Sequence, residues 1–173
     1  MVGQCSTSRA DYVANSGNTL SGETAGPGAG ATSFTTSFSA SNQSRLTFSQ
    51  SEVKIGQIAD GTSKTIMVGE KYLTPNNYDN GADAADDQSM FGGHDRDFNR
   101  YTTDSCTARV NPPLQDTPNT GECGFNWRFG SAHPAGLHIA YADGSVHQLE
   151  YGVDAVEIHA DARPERRAVC RHR

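Results

Sequence analysis

The sequence predicts a fold of the α+β class that is predominantly antiparallel β, with little helix and long surface loops. Three observations predict it. Only 35% of the residues are hydrophobic, and Gly, Ser, Thr, Asn and Asp take their place, a composition of turns and short strands. Asp143-Gly144 stands between two short apolar runs, a strong local signal for a β-hairpin. Thr65-Ile-Met-Val-Gly-Glu70 is a short apolar run of the length expected for a buried strand. A chain of 173 residues suits one domain, here with a thin core.

In chain order, Ala10-Asp-Tyr-Val-Ala-Asn15 reads as a short strand leading into a turn at Ser16-Gly17. Residues 21–33 carry Gly22, Gly26, Pro27, Gly28 and Gly30 and read as a loop. Phe34, Phe38, Leu46 and Phe48 in a Ser/Thr background suggest weak strands, the last over residues 45–48. Val53 to Ile58 alternates apolar and polar residues, the period of a strand. Asp60-Gly61-Thr62-Ser63 then turns the chain, with Asp60, Thr62 and Ser63 able to bond their own backbone. Residues 74–124 show almost no periodicity and read as a long, acidic surface loop, a length usually reserved for function. Phe125, Trp127 and Phe129 resume the core before the hairpin. In the hairpin a two-residue turn places Ala142 opposite Ser145. It puts Leu137, Ile139 and Tyr141 on one face with Val146, and His138 and His147 together on the other. A three-residue turn with left-handed Gly144 would shift the register and carry His147 across; the two-residue register is the preferred reading. Residues 1–154 form one β-rich head domain, and residues 155–173 form a short helix followed by a disordered basic tail.

The net charge is −6. Asp79, Asp83, Asp86, Asp87, Asp95, Asp97 and Asp104 crowd the long loop, and Arg163, Arg166, Arg167, Arg171 and Arg173 crowd the end. An acidic body disfavours nucleic acid, whose binding rests on neutralising phosphates. Cys5, Cys106, Cys123 and Cys170 contain no CxxC pair, so a cysteine zinc site is not indicated. Cys106 and Cys123 bracket a Pro-rich polar loop. A disulfide there would contribute roughly 3 kcal/mol through loop entropy; two unpaired thiols are the other reading. Neither a membrane-spanning apolar run nor a secretory leader is visible.

The motifs support a resemblance. Asp60-Gly61-Thr62-Ser63, followed by Thr65-Ile-Met-Val-Gly69-Glu70-Lys71-Tyr72, resembles the D-G-T-S-x-T-I-x-V-G-E-K-Y block of a bacterial family of unknown function, expanded in planctomycetes. Phe129-Gly-Ser-Ala-His133-Pro-Ala-Gly and Ala142-Asp143-Gly144-Ser145-Val146 resemble its prepilin-type processing-associated H-x9-D-G motif. Asp11-Tyr-Val-Ala-Asn15 is similar to an upstream D-Y-x-x-N element. Some classifications carry the family under a bacterial solute-binding-protein label.

The resemblance implies a pilin-like or pseudopilin-like globular head lacking the N-terminal anchor helix. It implies a periplasmic or cell-surface location, with the full-length form anchored in the inner membrane. Partners would be other pilin-like subunits or envelope proteins, with the membrane reached only through the anchor helix. The His-containing helix and D-G ending that often follow in members are not found after Asp154.

Enzyme chemistry finds little footing. Serines are abundant, but no nucleophile-elbow sequence accompanies them. His133, before Pro134, is expected to bond a turn near Asp143, a structural role. His138 and His147, diagonal on one hairpin face, would bind zinc only with an acidic third ligand; ordinary half-exposed strand histidines are the plainer reading. Asp79, Asp83, Asp86 and Asp87 offer closely spaced oxygens of the kind calcium takes, though not with EF-hand spacing; a solvated acidic loop is the alternative. The sequence therefore points to a non-enzymatic structural or adhesive protein without cofactor, calcium aside. The alternative is an extracytoplasmic carbohydrate- or solute-binding module, with Tyr72, Tyr78, Tyr101 and Trp127 as stacking surfaces.

Overall fold

A computed structural model describes residues 8–17, 46–47, 51–89, 95–103, 111–118 and 125–153. Its fold is predominantly β. Among the described residues there are seven strands: β1 (Tyr12–Asn15), β2 (Ile66–Glu70), β3 (Asn99–Arg100), β4 (Leu114–Gln115), β5 (Gly130–Ser131), β6 (Leu137–Tyr141) and β7 (Val146–Leu149). Five make one sheet in the order β3-β1-β2-β6-β7, and β4 pairs with β5. The large sheet is antiparallel except where β3 joins β1, and the β4–β5 ladder is parallel. Helix among the described residues consists of single 3₁₀ turns at Ile55–Gln57, Thr62–Lys64, Pro75–Asn77 and Phe125–Trp127. No helix among the described residues is long and apolar enough to cross a membrane.

β2 is the centre of the sheet because its sequence suits burial on both sides. Ile66 and Gly69 are buried, and Val68 is half-buried. Val13, Gly69 and Ile139 align across β1, β2 and β6. With Ile66, Leu137 and Phe129 they form the core, against which Tyr141, Leu149, Tyr151 and Val153 pack. Gly69 is required there by space: a Cβ would lie 2.9 Å from the Phe129 ring and 3.3 Å from Ile139. The opposite face carries a thinner row, Ala14–Val68–Ala140–Val146, aligned strand to strand.

The hairpin takes the three-residue turn. Ala140 lies opposite Val146 and Ile139 opposite His147; Tyr141 N–H donates to Ser145 at 2.9 Å and Gly144 N–H to Tyr141 at 3.0 Å. Gly144 has φ +86°, the left-handed residue this turn needs. The two-residue register is thereby corrected. Val146 leaves the Ile139 face, and His138 and His147 fall on opposite faces. The reason lies partly outside the hairpin: Asp143 N–H donates to Thr62 O and Ala142 N–H to Thr65 O, so the turn is docked on the segment that precedes β2.

Two further expectations change. Val53–Ile58 is not a strand; its middle is a 3₁₀ turn with Ile55 75% exposed. The acidic loop is not a surface loop throughout. It supplies β3 and β4 and buries Asp83, Asp86, Asp97 and Arg100. The expected strands near residues 34–48 fall almost wholly outside the described residues, as do Cys106, Cys123 and the segment 155–173.

Gly69→Ala and Gly144→Ala separate packing from backbone conformation. Gly69→Ala should cost about 1–3 kcal/mol through overpacking. Gly144→Ala, with open space around it, should cost about 1–2 kcal/mol through the left-handed backbone alone. Gly56→Ala, also in open space, should be close to neutral. Urea unfolding followed by Trp127 fluorescence measures all three.

Candidate functional site

The C-terminal end of β2 is where polar chemistry gathers, because strand alternation sends successive residues to opposite sides. Glu70 projects to the open face, beside His138 of β6 and His133 of the β5–β6 connection. The His138 N–H donates to Glu70 Oε2 at 2.6 Å. Its Nδ1 lies 3.4 Å from the same oxygen, and His133 Nε2 lies 3.7 Å from Glu70 Oε1. The two imidazoles meet edge to face at 5.6 Å. Among the described residues this trio is the group whose donor atoms come close enough to share a metal ion.

Lys71 turns the other way, into the protein. Its side chain is 1% exposed and lies 2.5 Å from Asp86 Oδ1, with the carbonyls of Ala85 and Asp97 at 3.5 and 3.4 Å. Burial pushes its ammonium below the ordinary lysine value, while the bond and charge of Asp86 pull it back up. Arg9 reaches Asp86 from outside at 3.1 Å. Arg100 is fully buried and donates to the carbonyls of Arg128, Arg96, Asn99, Tyr72 and Ala85. Burial lowers its pKa to about 10. Two buried cations thus face the buried carboxylates of Asp83, Asp86 and Asp97. Asp97 is the least compensated. Its Oδ2 accepts the Gln88 N–H at 2.6 Å, Oδ1 has no hydrogen-bond partner among the described residues, and burial raises its pKa to about 6.

Tyr72 completes the run, its hydroxyl donating to Thr117 O at 2.8 Å. Beside it opens a cleft of about 310 Å³ lined in part by Asp11, Glu70, Lys71, Tyr78, Asp116 and His133. Tyr78 donates to Asp116 at 2.5 Å across its rim. Burial raises the Asp116 carboxyl above the usual range.

The other sequence candidates are dispersed. Asp79 and Asp87 are exposed, whereas Asp83 and Asp86 are buried. Asp83 accepts the N–H groups of Thr74 and Ala85, and Asp86 takes Lys71 and Arg9. Among the described residues these four carboxylates do not form a common ligand set. His133 does not reach Asp143, which lies beyond the far end of β6. Its carbonyl accepts the Tyr151 hydroxyl at 2.7 Å. Asp143 instead bonds the N–H and hydroxyl of Ser145 at 2.9 and 2.7 Å, and the Ser145 hydroxyl bond holds its carboxyl below the usual range. Thr62 contributes its carbonyl to Asp143, and Gly61 its carbonyl to the Thr65 hydroxyl at 3.0 Å; Asp60 and Ser63 are exposed beside them. Tyr72 and Tyr101 are each 1% exposed, and the half-buried Trp127 meets Tyr101 edge to face at 5.3 Å, so of the four proposed stacking aromatics Tyr78 presents the most open ring.

Lys71, Asp97, Arg100 and the Glu70–His138 contact were not anticipated. Lys71 had a legible signal: two residues after Gly69, it shares that residue's inward side. Arg100 had one as well, being with Arg96 the sole cation in an aspartate-crowded segment.

Fold and site together define a small, mostly antiparallel β protein whose motif residues meet at the two ends of the central strand. Residues 2–155 match the family described as a protein of unknown function (DUF1559), which bears the label SBP_bac_10. The chain belongs to this family. Comparison with the curated proteins and with the solved structures gives no match.

Removing Lys71 strips the buried Asp86 carboxylate of its buried partner and leaves it the more exposed Arg9, so Lys71→Ala should cost about 3 kcal/mol in chemical denaturation. For Asp97, the folded pKa lies above the unfolded one. Between about pH 4 and 6 the folded protein therefore holds a proton that the unfolded chain has lost, and this residue's contribution to stability falls as pH rises through that window. Asp97→Asn should remove that fall and leave the protein more stable at pH 7, by on the order of 2–3 kcal/mol. Unfolding curves at pH 4 and pH 7 provide the comparison.

Proposed function

We propose that this chain is the head of a pilin-like envelope protein, a non-enzymatic structural or adhesive subunit that works through protein contacts in the periplasm or at the cell surface. The observation that carries this reading is the open face of the sheet. The row Ala14–Val68–Ala140–Val146 runs across four strands on the side away from the core, with Val146 66% and the neighbouring Tyr12 56% exposed. A rigid, mildly apolar face of this kind suits packing by another protein element. β7, at the edge of the sheet, has Val146, His147 and Gln148 exposed, without the Lys or Pro that commonly blunts an edge strand.

The use made of the family motifs supports the same view. The Thr62–Thr65 stretch of the first block accepts the hairpin turn through Thr62 O and Thr65 O, and Glu70 accepts His138 N–H. Both blocks are engaged in joining β2 to the β6–β7 hairpin, as expected of residues that define a scaffold. The prepilin-type H-x9-D-G resemblance supplies the envelope location and the anchored full-length form.

A solute- or carbohydrate-binding module is the second reading, favoured by the cleft beside Tyr78 and by the family label. The two separate in one cellular experiment. A photo-crosslinking residue placed at the exposed position 148 of β7 should yield adducts with envelope proteins, and Tyr12→Glu with Val146→Lys in the same chain should remove the contact that the adducts report without lowering Tm. Recovery in the cytosol with no envelope adduct would overturn the pilin-like reading. Glycan-array binding that disappears in Tyr78→Ala would put the second in its place.

A further inference from the structure

We infer that Glu70, His133 and His138 form a binding site for zinc or a neighbouring divalent transition metal. The inference is independent of the pilin-like reading. It rests on three side chains brought together from β2, the β5–β6 connection and β6, far apart in sequence but adjacent in space.

The spacing is the first argument. The two nitrogen–oxygen distances are 3.4 and 3.7 Å, longer than the roughly 2.7–2.9 Å of a charge-assisted hydrogen bond. Ligands about 2.0–2.1 Å from a tetrahedral zinc lie about 3.3–3.5 Å from one another. The donor atoms of the trio all lie within 4.8 Å of one another, so closing the set needs only small torsional movement of the imidazoles. His133 and His138 have room for it, with side chains 58% and 45% exposed.

Preorganisation is the second argument. Glu70 is 12% exposed, and its Oε2 is held by the His138 N–H at 2.6 Å. That bond aims the carboxylate at the imidazoles and plays the part that an outer hydrogen bond plays in metal sites. Two of the three ligands stand at or beside paired strand positions, which hold geometry better than loops.

Ligand type gives the class. Two imidazoles and one carboxylate suit zinc, copper or nickel, whereas calcium and magnesium take oxygen. Three protein ligands on an open face leave a fourth position for water or for a donor from another molecule. A bound ion would also tie the β5–β6 connection to the end of β2.

Isothermal titration of the full chain with zinc should show a single equivalent bound. Thermal unfolding should rise by about 5 °C or more at saturating metal. Cobalt should give the visible absorption of a four-coordinate site. His133→Gln, His138→Gln and Glu70→Gln should each weaken zinc by about tenfold or more, with Tm in metal-free buffer unchanged for the two exposed histidines. His147→Gln, on the other face, should bind as the parent does. No uptake at about 1 mM zinc, zinc binding that persists in the His133→Gln/His138→Gln double variant, or equal affinity for calcium would each overturn the assignment.

Discussion

The buried ammonium of Lys71 is the constraint around which the rest is arranged. A lysine that follows a core strand with a 1% exposed side chain must find compensating charge and acceptors, because an unpaired buried charge is not tolerated. Asp86 and the carbonyls of Ala85 and Asp97 supply them, and all three come from the segment that has no strand or helix periodicity of its own. Arg100 repeats the logic with carbonyls. Its guanidinium gathers the backbone at residues 72, 85, 96, 99 and 128 into one place. The described irregular segments are thus ordered by hydrogen bonding to buried cations, beside an apolar cluster that among the described residues is a handful of side chains.

The same few residues explain why the family blocks are spaced as they are. Gly69, Glu70, Lys71 and Tyr72 each serve a different neighbour: the Phe129 ring, His133 and His138, the acidic loop, and Thr117. Strand alternation distributes them without any turn. The second block meets the first at both ends of β2, with Ala142 and Asp143 on the Thr62–Thr65 segment and His138 on Glu70. The hairpin is therefore fixed at its tip and at its base. Among the described residues, one broad face of the sheet carries the Ala14–Val68–Ala140–Val146 row, and its rim carries His133, His138 and Glu70.

How far this was legible varies with the range of the interaction. β1, β2 and the β6–β7 hairpin were readable because short apolar runs and Asp-Gly chemistry act over a few residues. The hairpin register was misjudged because Thr62 and Thr65, far upstream in the chain, hold the turn through backbone bonds that no local pattern records. The acidic loop was read as solvated because its charges were weighed without the inward-facing lysine and arginine. His133 was assigned toward Asp143, yet an intervening extended strand at about 3.3 Å per residue carries the two apart.

By itself, the sequence determined the class of the fold, the central strand, the place of the hairpin and the family, because all of these are written in local composition, alternation and motif. Tertiary structure alone decided which carboxylates are buried beside Lys71, which face His147 occupies, and that Glu70, His133 and His138 share one corner. Those outcomes depend on cross-strand register and on the neutralisation of buried charge. Both are settled between segments distant in the chain, where sequence spacing carries no information about distance.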